Sequence, residues 1–212
     1  MRTPDTKTGK DALRMLCGVL HGNAILPSPL RVAAPWLSPD VIELLLREAE
    51  TQRVEKPTQG TSPIYVPLGE LGARVALGRL FRDWMTSVTG TQFDDDVLGT
   101  FIVYERPDGI CQLHVDTSAP HMVNCLALLS HTGGGSTRAR SALTAFDRYG
   151  EATRFDLDPG EAVVLNSDAI PHGRSALESG ERIVLLSVAL VAVRSMSDRR
   201  GQTETPAESV AI

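Results

Sequence analysis

From residue 97 to residue 193 the sequence alternates between short apolar segments and turn or loop signals. Eight such segments occur, from VLGTFIVYER to ERIVLLSVALVAV, and the stretches between them include PDG, DRYGE, DPGE and ESGE. Short strands separated by a turn every 8–12 residues or so are typical of a β-sandwich or barrel rather than of alternating strands and helices. The pattern predicts a mainly β jelly-roll core over residues 96–194.

Residues 1–95 have a different character and predict helices packed on that core. SPDVIELLLREAETQRVEK begins with Ser38, a good N-cap, followed by Pro39 at the first helical position. A further helix is expected through GELGARVALGRLFRDWMTSVTG, ending at Gly90, and a short one at DALRMLCGVL. Residues 195–212 are polar and are expected to form a disordered tail, so we predict a single domain overall.

Composition narrows the class of partner. The chain has 212 residues, a net charge of −5 and only 5% aromatic residues, which argues against nucleic-acid binding and against a polybasic membrane patch. No apolar run approaches the ~18 residues needed to span a bilayer. The three cysteines form no CxxC pair, so reduced thiols in a cytoplasmic protein are expected. The sequence does not specify an oligomeric state.

The segment QLHVDTSAPH places His114 and Asp116 two residues apart within a predicted strand. Alternate residues of a strand point to the same side, so the imidazole and the carboxylate are expected to face one point. Such a pair suits non-haem Fe(II), with a third ligand preferably from a strand of the facing sheet. A salt-bridged surface pair would explain the two residues equally well.

Two downstream residues sharpen this interpretation. His172 in IPHGRSALESGER lies 56 residues after Asp116, enough chain for about four strands that return to the same place. Arg182 follows ten residues later, at the start of the apolar strand RIVLLSVAL. An arginine there needs a partner, because an unpaired buried charge is unstable. That partner is either a nearby carboxylate, Glu178 or Glu181, or a dicarboxylate ligand.

This order of residues resembles the Fe(II)/2-oxoglutarate-dependent oxygenases, and in particular their prolyl-hydroxylase-like members. That family has H-x-D, a distal His some fifty residues on, and a basic residue nine to ten residues later. HVD, PHGRSA and ER stand in that order here, and YERPDGICQLHVD carries Tyr104 ten residues before the first histidine. The resemblance covers about residues 97–193 and implies a double-stranded β-helix core.

The resemblance implies a metal-binding dioxygenase that uses Fe(II), 2-oxoglutarate and O2, with ascorbate helpful in vitro. His114, Asp116 and His172 would be the metal ligands and catalytic centre, while Arg182 and Tyr104 would bind 2-oxoglutarate. The products would be succinate, CO2 and a hydroxylated, desaturated or cyclised substrate. Asp116 also distinguishes the chain from halogenating relatives, which have Gly or Ala at that position.

One departure from the family pattern concerns the far carboxylate of 2-oxoglutarate. Many prolyl-hydroxylase-like members place a Tyr on the strand after H-x-D to assist the basic residue. VNCLALLS contains no Tyr, and Leu128 stands nearest to that position. Asn124, Ser130 or Thr144 are alternative second partners for the carboxylate. This departure weakens the interpretation as a protein prolyl hydroxylase.

Other polar residues near the expected site are candidates for substrate contact. Thr117 and His121 follow the H-x-D segment, although a solvated loop would explain them too. Arg174 lies two residues beyond His172 and should share its side of a strand, unless it forms a salt bridge with Asp168 or Asp147. Residues 133–140 have the composition either of a mobile lid over the substrate or of an ordinary flexible hairpin.

These observations favour an oxygenase acting on a small-molecule substrate, because the compact chain leaves little room for a protein-recognition domain. A hydroxylase of a peptide or protein residue is the alternative among enzymes. A non-catalytic, cupin-like binding protein in which Arg182 holds an organic anion is the alternative outside them. Turnover of 2-oxoglutarate to succinate distinguishes the last possibility from the other two.

Overall fold

The computed structural model describes residues 6–22, 24–55, 63–106, 111–117, 121–134 and 140–193. Its described part has four helices: α1 (Thr6–His21), α2 (Pro39–Glu55), α3 (Glu70–Ala76) and α4 (Arg79–Thr89). Its ten strands are β1 (Leu30–Ala33), β2 (Ile64–Pro67), β3 (Phe93–Tyr104), β4 (Cys111–His114), β5 (Met122–Thr132), β6 (Leu143–Phe146), β7 (Ala152–Phe155), β8 (Glu161–Asn166), β9 (His172–Arg174) and β10 (Arg182–Ala192).

Two antiparallel sheets form the core. The large sheet has the strand order β1-β8-β5-β10-β3-β2, and the small sheet has the order β4-β9-β6-β7. Strands β3 to β10 correspond to the eight predicted strands, and four of them lie in each sheet. The predicted jelly roll is therefore confirmed, with β1 and β2 added at the two edges of the large sheet.

Two layers of apolar side chains hold this architecture together. One layer lies between the helices and the large sheet, and joins Leu45 and Ala49 of α2 to Val184 and Leu186 of β10. The other fills the space between the two sheets and includes Ile183 of the same strand. Because alternate residues of β10 face opposite layers, both faces of this strand are apolar.

The local start and stop signals agree with the predicted helices in part. The Ser38 hydroxyl accepts a hydrogen bond from the Val41 amide at 3.4 Å, as an N-cap does. Helix α4 ends at Gly90, whose φ of 69° suits glycine. The single helix predicted over 69–90 is instead two, because Gly78 adopts an extended conformation (φ −68°, ψ 141°) between them.

The boundary predicted at residue 96 also needs correction. Strand β3 begins at Phe93, and both β1 and β2 come from the segment predicted to be helical. Each of these two strands has four residues and pairs with a distant strand of the core, so local sequence carries little sign of it. The predicted disordered tail, 195–212, lies outside the described residues. None of the described helices combines the length and apolar character needed to cross a membrane.

Candidate active site

Strands β4 and β9 bring His114 and His172 together. The two strands are antiparallel neighbours in the small sheet, and the two histidines are paired directly across them. Their ring centroids lie 4.5 Å apart. The expectation that the second histidine comes from the facing sheet was wrong, since both histidines belong to one sheet. Asp116 follows β4, and its amide donates to the Ser167 carbonyl at 2.8 Å.

The donor atoms of these three side chains form a compact cluster. One ligand atom from each of His114, Asp116 and His172 lies within 4.8 Å of the other two. Nδ1–H of His114 donates to the Gln112 carbonyl at 2.8 Å, and Nδ1–H of His172 donates to the Ile170 carbonyl at 3.0 Å. These bonds select the tautomer that leaves both Nε2 atoms available to a metal.

The electrostatics of the cluster are those of a charged pair beside a neutral imidazole. The hydrogen bond to Asp116, together with a weaker one from Cys111, raises the pKa of His114 to about 10. Burial acts to raise the pKa of Asp116, but the bond from His114 and the influence of His172 and Ser167 lower it overall. Burial lowers the pKa of His172, whose side chain is nearly enclosed.

The cluster opens into a cavity of about 270 Å³ between the two sheets. Along β3 the cavity wall runs from Leu98, which pairs with Ala189 of β10, to Tyr104, which pairs with Ile183. Leu98 is 53% exposed and marks the open end, whereas Tyr104 is buried and marks the closed end. The cavity is also lined by Tyr65, Gly99, Thr100, Ile102, Cys111, Met122, Asn124, Leu126, Leu143, Gly173, Arg174, Leu185 and Ser187.

Tyr104 and Arg174 lie together at the closed end. The Arg174 guanidinium carbon is 5.3 Å from the centroid of the Tyr104 ring, and both residues are buried. Burial raises the pKa of the Tyr104 hydroxyl and lowers that of Arg174. The structure therefore places the sequence-predicted Tyr104 at the cavity wall. Arg174 also lines the cavity, and among the described residues it forms no salt bridge with Asp168 or Asp147.

The placement expected for Arg182 needs correction. Its side chain points toward the helical layer, where it pairs with Glu50 of α2 and lies 3.6 Å from Glu105. It does not line the cavity. The nearby Glu181, weighed as its partner, instead accepts hydrogen bonds from His131 and Ser141. The residues of β10 that line the cavity are Leu185, Ser187 and Ala189, and Ile183 lies in the same apolar layer between the sheets.

The remaining predicted contacts fall in different places. Thr117 is exposed, and the His121 amide donates to Asp168 at 2.6 Å; neither residue lines the cavity. Of the three candidates for a second carboxylate partner, Asn124 lines it, whereas Ser130 and Thr144 do not. The predicted lid lies largely outside the described residues, which omit 135–139.

Some lining residues were not identified from the sequence. Cys111 pairs with Arg174 across β4 and β9, and its sulfur lies 3.7 Å from Nδ1 of His114. Its position three residues before His114 was the available signal, but such a cysteine is more often a buried structural residue. Tyr65 comes from β2, a strand that the sequence did not reveal. Ser187 lies within an apolar run and donates to Asn124 Oδ1 at 3.1 Å.

Comparison with known proteins identifies the fold. No protein-family model and no curated protein matches the chain. Among solved structures, a Pseudomonas putida prolyl-4-hydroxylase is 17% identical, with 86% of this chain and 100% of that chain covered at a TM-score of 0.59. SnoN, a non-haem α-ketoglutarate-dependent epimerase from nogalamycin biosynthesis, is 12% identical, with 85% and 83% covered at a TM-score of 0.61.

A third similar structure contains 2-oxoglutarate together with a metal ion. HygX from Streptomyces hygroscopicus, with nickel and 2-oxoglutarate bound, is 12% identical, with 82% of this chain and 85% of that chain covered at a TM-score of 0.60. α-Ketoglutarate and 2-oxoglutarate are the same compound. This chain therefore has the double-stranded β-helix fold of the non-haem iron, 2-oxoglutarate-dependent oxygenases, with a His–Asp–His cluster in its cavity.

Proposed function

We propose that this protein is an Fe(II)/2-oxoglutarate-dependent oxygenase that oxidises a small organic molecule. One observation carries the proposal: donor atoms of His114, Asp116 and His172 lie within 4.8 Å of one another at the wall of a cavity. The fold it shares with HygX and SnoN supports the same conclusion.

The three side chains fit Fe(II). Metal binding would release the proton that Asp116 stabilises on His114. Two neutral imidazoles and one carboxylate are then the donor set of non-haem iron oxygenases, which leaves three coordination positions for other ligands. Carbonyl oxygens orient both imidazole rings, and the Ser167 carbonyl holds the backbone of Asp116. The protein would thus hold the metal at the wall of the cavity through side chains that are already oriented.

The bound metal and cosubstrate would supply the oxidation itself. Overall, 2-oxoglutarate, O2 and a substrate C–H bond give succinate, CO2 and C–OH, so one oxygen atom enters succinate and the other enters the product. Desaturation or ring closure would instead release that second oxygen atom as water. The protein's part is to position the substrate hydrogen near the metal and to limit access of bulk water.

The open half of the cavity supports a small and largely apolar substrate. Its walls there include Leu98, Met122 and Ala189, with Tyr65 at the rim. Asn124 adds a polar group to the lining: its Oδ1 accepts a hydrogen bond from Ser187, and its amide Nδ2–H groups have no partner in the described part of the chain. A substrate with one hydrogen-bond acceptor on an apolar skeleton would match this lining.

Succinate formation tests the proposal. Purified protein supplied with Fe(II), ascorbate, 2-oxoglutarate and O2 should release succinate slowly without a substrate, and faster with one. His114→Ala, Asp116→Ala and His172→Ala should each abolish the release. His21→Ala is the matched control, because this histidine bonds to the Cys17 carbonyl far along the chain from the cluster.

Three outcomes would overturn the proposal in whole or in part. Succinate release that survives His172→Ala would show that the cluster is not the catalytic centre. Tight binding of metal and 2-oxoglutarate without any turnover would identify a binding protein instead. If peptides accelerate succinate release and no small molecule does, the substrate is a peptide or protein residue.

We also propose a cytoplasmic location. All three cysteines, Cys17, Cys111 and Cys125, are free thiols, and Cys111 lies at the cavity wall beside His114. Free thiols persist in reducing compartments. Localisation of a tagged full chain by fractionation would test this proposal, and recovery from an oxidising compartment would contradict it.

A further inference from the structure

Strand β10 offers no cation to the closed end of the cavity. The residues of β10 that line the cavity are Leu185, Ser187 and Ala189, whereas Arg182 pairs with Glu50 and lies 3.6 Å from Glu105 outside it. The family pattern would assign the far carboxylate of 2-oxoglutarate to a basic residue at this point of the chain. In this protein another cation must fill that role, or the carboxylate would lie buried without a counter-charge.

Arg174 has the properties that such a role requires. It is 7% exposed and lines the cavity. Its Nη1 makes one long hydrogen bond, 3.4 Å, to the Ser141 carbonyl, and its buried Nε has no hydrogen-bond partner in the described part of the chain. No described carboxylate pairs with it, although Arg31, Arg154 and Arg182 each have one. A buried, unpaired guanidinium points to an anionic ligand.

The spacing along β9 matches the length of 2-oxoglutarate. His172 and Arg174 are two residues apart on one strand and both line the cavity. Two residues of a strand span roughly 6.6 Å. The four carbon–carbon bonds of a five-carbon diacid span about 5 Å. A ligand held at the metal by its 2-oxo acid end would therefore extend its other carboxylate toward Arg174.

The surroundings of Arg174 support one end-on carboxylate rather than a larger group. The Tyr104 ring lies beside the guanidinium, and Ile102, Leu143 and Leu185 line the same cavity. A second cavity of about 490 Å³ borders Arg174 on its other side, where Asp156 is paired with Arg154 rather than with it. The free Nε–H and the guanidinium fork can bind a carboxylate through two parallel hydrogen bonds.

We infer that Arg174, and not Arg182, binds the far carboxylate of 2-oxoglutarate, with Tyr104 packed beside it. This inference rests on the proposed function, because it takes 2-oxoglutarate to be the cosubstrate. It assigns Arg182 to the contact between β10 and α2. It also makes Arg174 the residue that selects a five-carbon diacid over 2-oxo acids without a second carboxylate.

Two matched arginine variants test the inference by binding rather than by activity. Calorimetry on Ni(II)-loaded protein without O2 measures the affinity for 2-oxoglutarate. Arg174→Gln should weaken it by about 30-fold or more, as expected when one partner of a buried charged pair is removed. Arg182→Gln should change it by less than about threefold, because that side chain is partly exposed and away from the cavity.

A second ligand makes the test specific to the carboxylate. 2-Oxopentanoate has the same carbon chain as 2-oxoglutarate without the far carboxylate. The unaltered protein should prefer 2-oxoglutarate strongly, and Arg174→Gln should lose most of that preference. Arg174→Lys keeps a charge but not the fork, and should fall between the two.

The outcomes separate this inference from the proposed function. If the unaltered protein binds Ni(II) and 2-oxoglutarate, and Arg174→Gln binds 2-oxoglutarate with the same affinity, the inference fails and the proposed function stands. If 2-oxoglutarate does not bind metal-loaded protein at all, the proposed function fails with it. If Arg182→Gln alone loses most of its affinity for 2-oxoglutarate, the inference also fails, because Arg182 would then bind the far carboxylate as the family pattern has it.

A measurement on the unaltered protein guards against misfolding of the buried variant. With ¹⁵N-labelled arginine and Zn(II), the Nε–H signal of Arg174 should shift when 2-oxoglutarate is added and should not shift with 2-oxopentanoate. The Arg182→Gln variant identifies the Arg182 signal by its disappearance. A shift of that signal, with none from Arg174, would overturn the inference.

Discussion

His114 and His172 stand directly opposite each other on the antiparallel strands β4 and β9, with their ring centroids 4.5 Å apart. Neighbouring strands in a sheet are separated by about 4.8 Å, so the strand spacing itself sets the distance between the two imidazoles. Any side chain that forced these strands apart would separate the ligands. The contact between β4 and β9 is therefore part of the candidate metal site.

Gly173→Ala tests this dependence. A Cβ atom at Gly173 would lie 2.7 Å from the Cys111 carbonyl oxygen, and 3.2 Å from the carbonyl carbon of Gln112, both on β4. We expect the strand to move away and the affinity for Ni(II) or Co(II) to fall by about 10–100-fold, the range seen when ligand orientation is disturbed. Metal titration followed by calorimetry measures this loss.

Gly18→Ala is the matched control for that experiment. Gly18 lies in helix α1, and the nearest atom to a Cβ there is the Arg148 carbonyl oxygen at 3.8 Å, an ordinary contact. This variant should bind metal as the unaltered protein does. Equal metal affinities for Gly173→Ala and the unaltered protein would mean that the strand spacing does not govern the site.

Metal binding should also stabilise the fold. A ligand that binds the native state alone adds about 2.7 kcal/mol when its concentration is 100 times Kd. We expect Co(II) to raise the Tm, EDTA to reverse the change, and His172→Gln to remove it. His21→Gln, whose imidazole bonds to the Cys17 carbonyl, should keep the full shift. An equal shift in His172→Gln would place the binding site elsewhere.

The sequence predicted the parts of the site that depend on local periodicity and on order along the chain. His114 and Asp116 could be assigned to one side of a strand because their spacing is two, and His172 could be added because the family pattern supplies it. The structure brings the three together. The eight core strands were predictable for a similar reason, since each is bounded by its own turn.

The direction of the Arg182 side chain could not be predicted in the same way. Alternation indicates which side of a strand is buried only where one side is polar, and RIVLLSVAL is apolar on both. The sequence therefore could not show which of Arg182 and Ile183 points between the two sheets. The position of Glu50 on helix α2, with which Arg182 pairs, decides this. Strands β1 and β2 were missed because four-residue strands are defined by their distant partners.

Glu181 provides a prediction about pH. Its buried carboxylate accepts hydrogen bonds from the Ser141 amide at 2.8 Å, the Glu178 amide at 2.7 Å and His131 Nε2 at 2.5 Å. Burial acts to raise the pKa of Glu181, but these donors outweigh it and lower the pKa from its usual value of 4.5. Glu181→Gln should lower the free energy of unfolding at pH 7 by about 2–3 kcal/mol.

The sign of the pH dependence follows from the lowered pKa. A carboxyl group with a depressed folded-state pKa contributes its stability above the unfolded value of 4.5 and loses it as pH falls through the folded value. The difference between the two proteins should therefore narrow below about pH 4.5 in urea unfolding. Glu43→Gln, at an exposed pair with Arg47, should show no such difference. A gap that is constant from pH 7 to pH 3.5 or so would contradict this account.

Glu48 supports the start of helix α3 from another helix. The residue at the N-cap position is Gly69, which has no side chain to accept hydrogen bonds. The Glu48 carboxylate of α2 accepts them instead, from the amides of Gly69 at 3.1 Å, Leu71 at 2.7 Å and Gly72 at 2.7 Å. A negative charge also suits the positive end of a helix.

Glu48→Ala should therefore lower the free energy of unfolding by about 1–2 kcal/mol, the usual effect of losing an N-cap. Glu48→Gln retains one acceptor oxygen and should lose less. Glu70→Ala removes another acidic residue from the same turn, but its side chain is 84% exposed and pairs only with Arg74 in the described part of the chain, so it should have no measurable effect. Urea unfolding gives the energies, and amide exchange in α3 locates the change. Because three amides depend on Glu48, equal results for Glu48→Ala and Glu70→Ala would show that α3 is held by its packing alone.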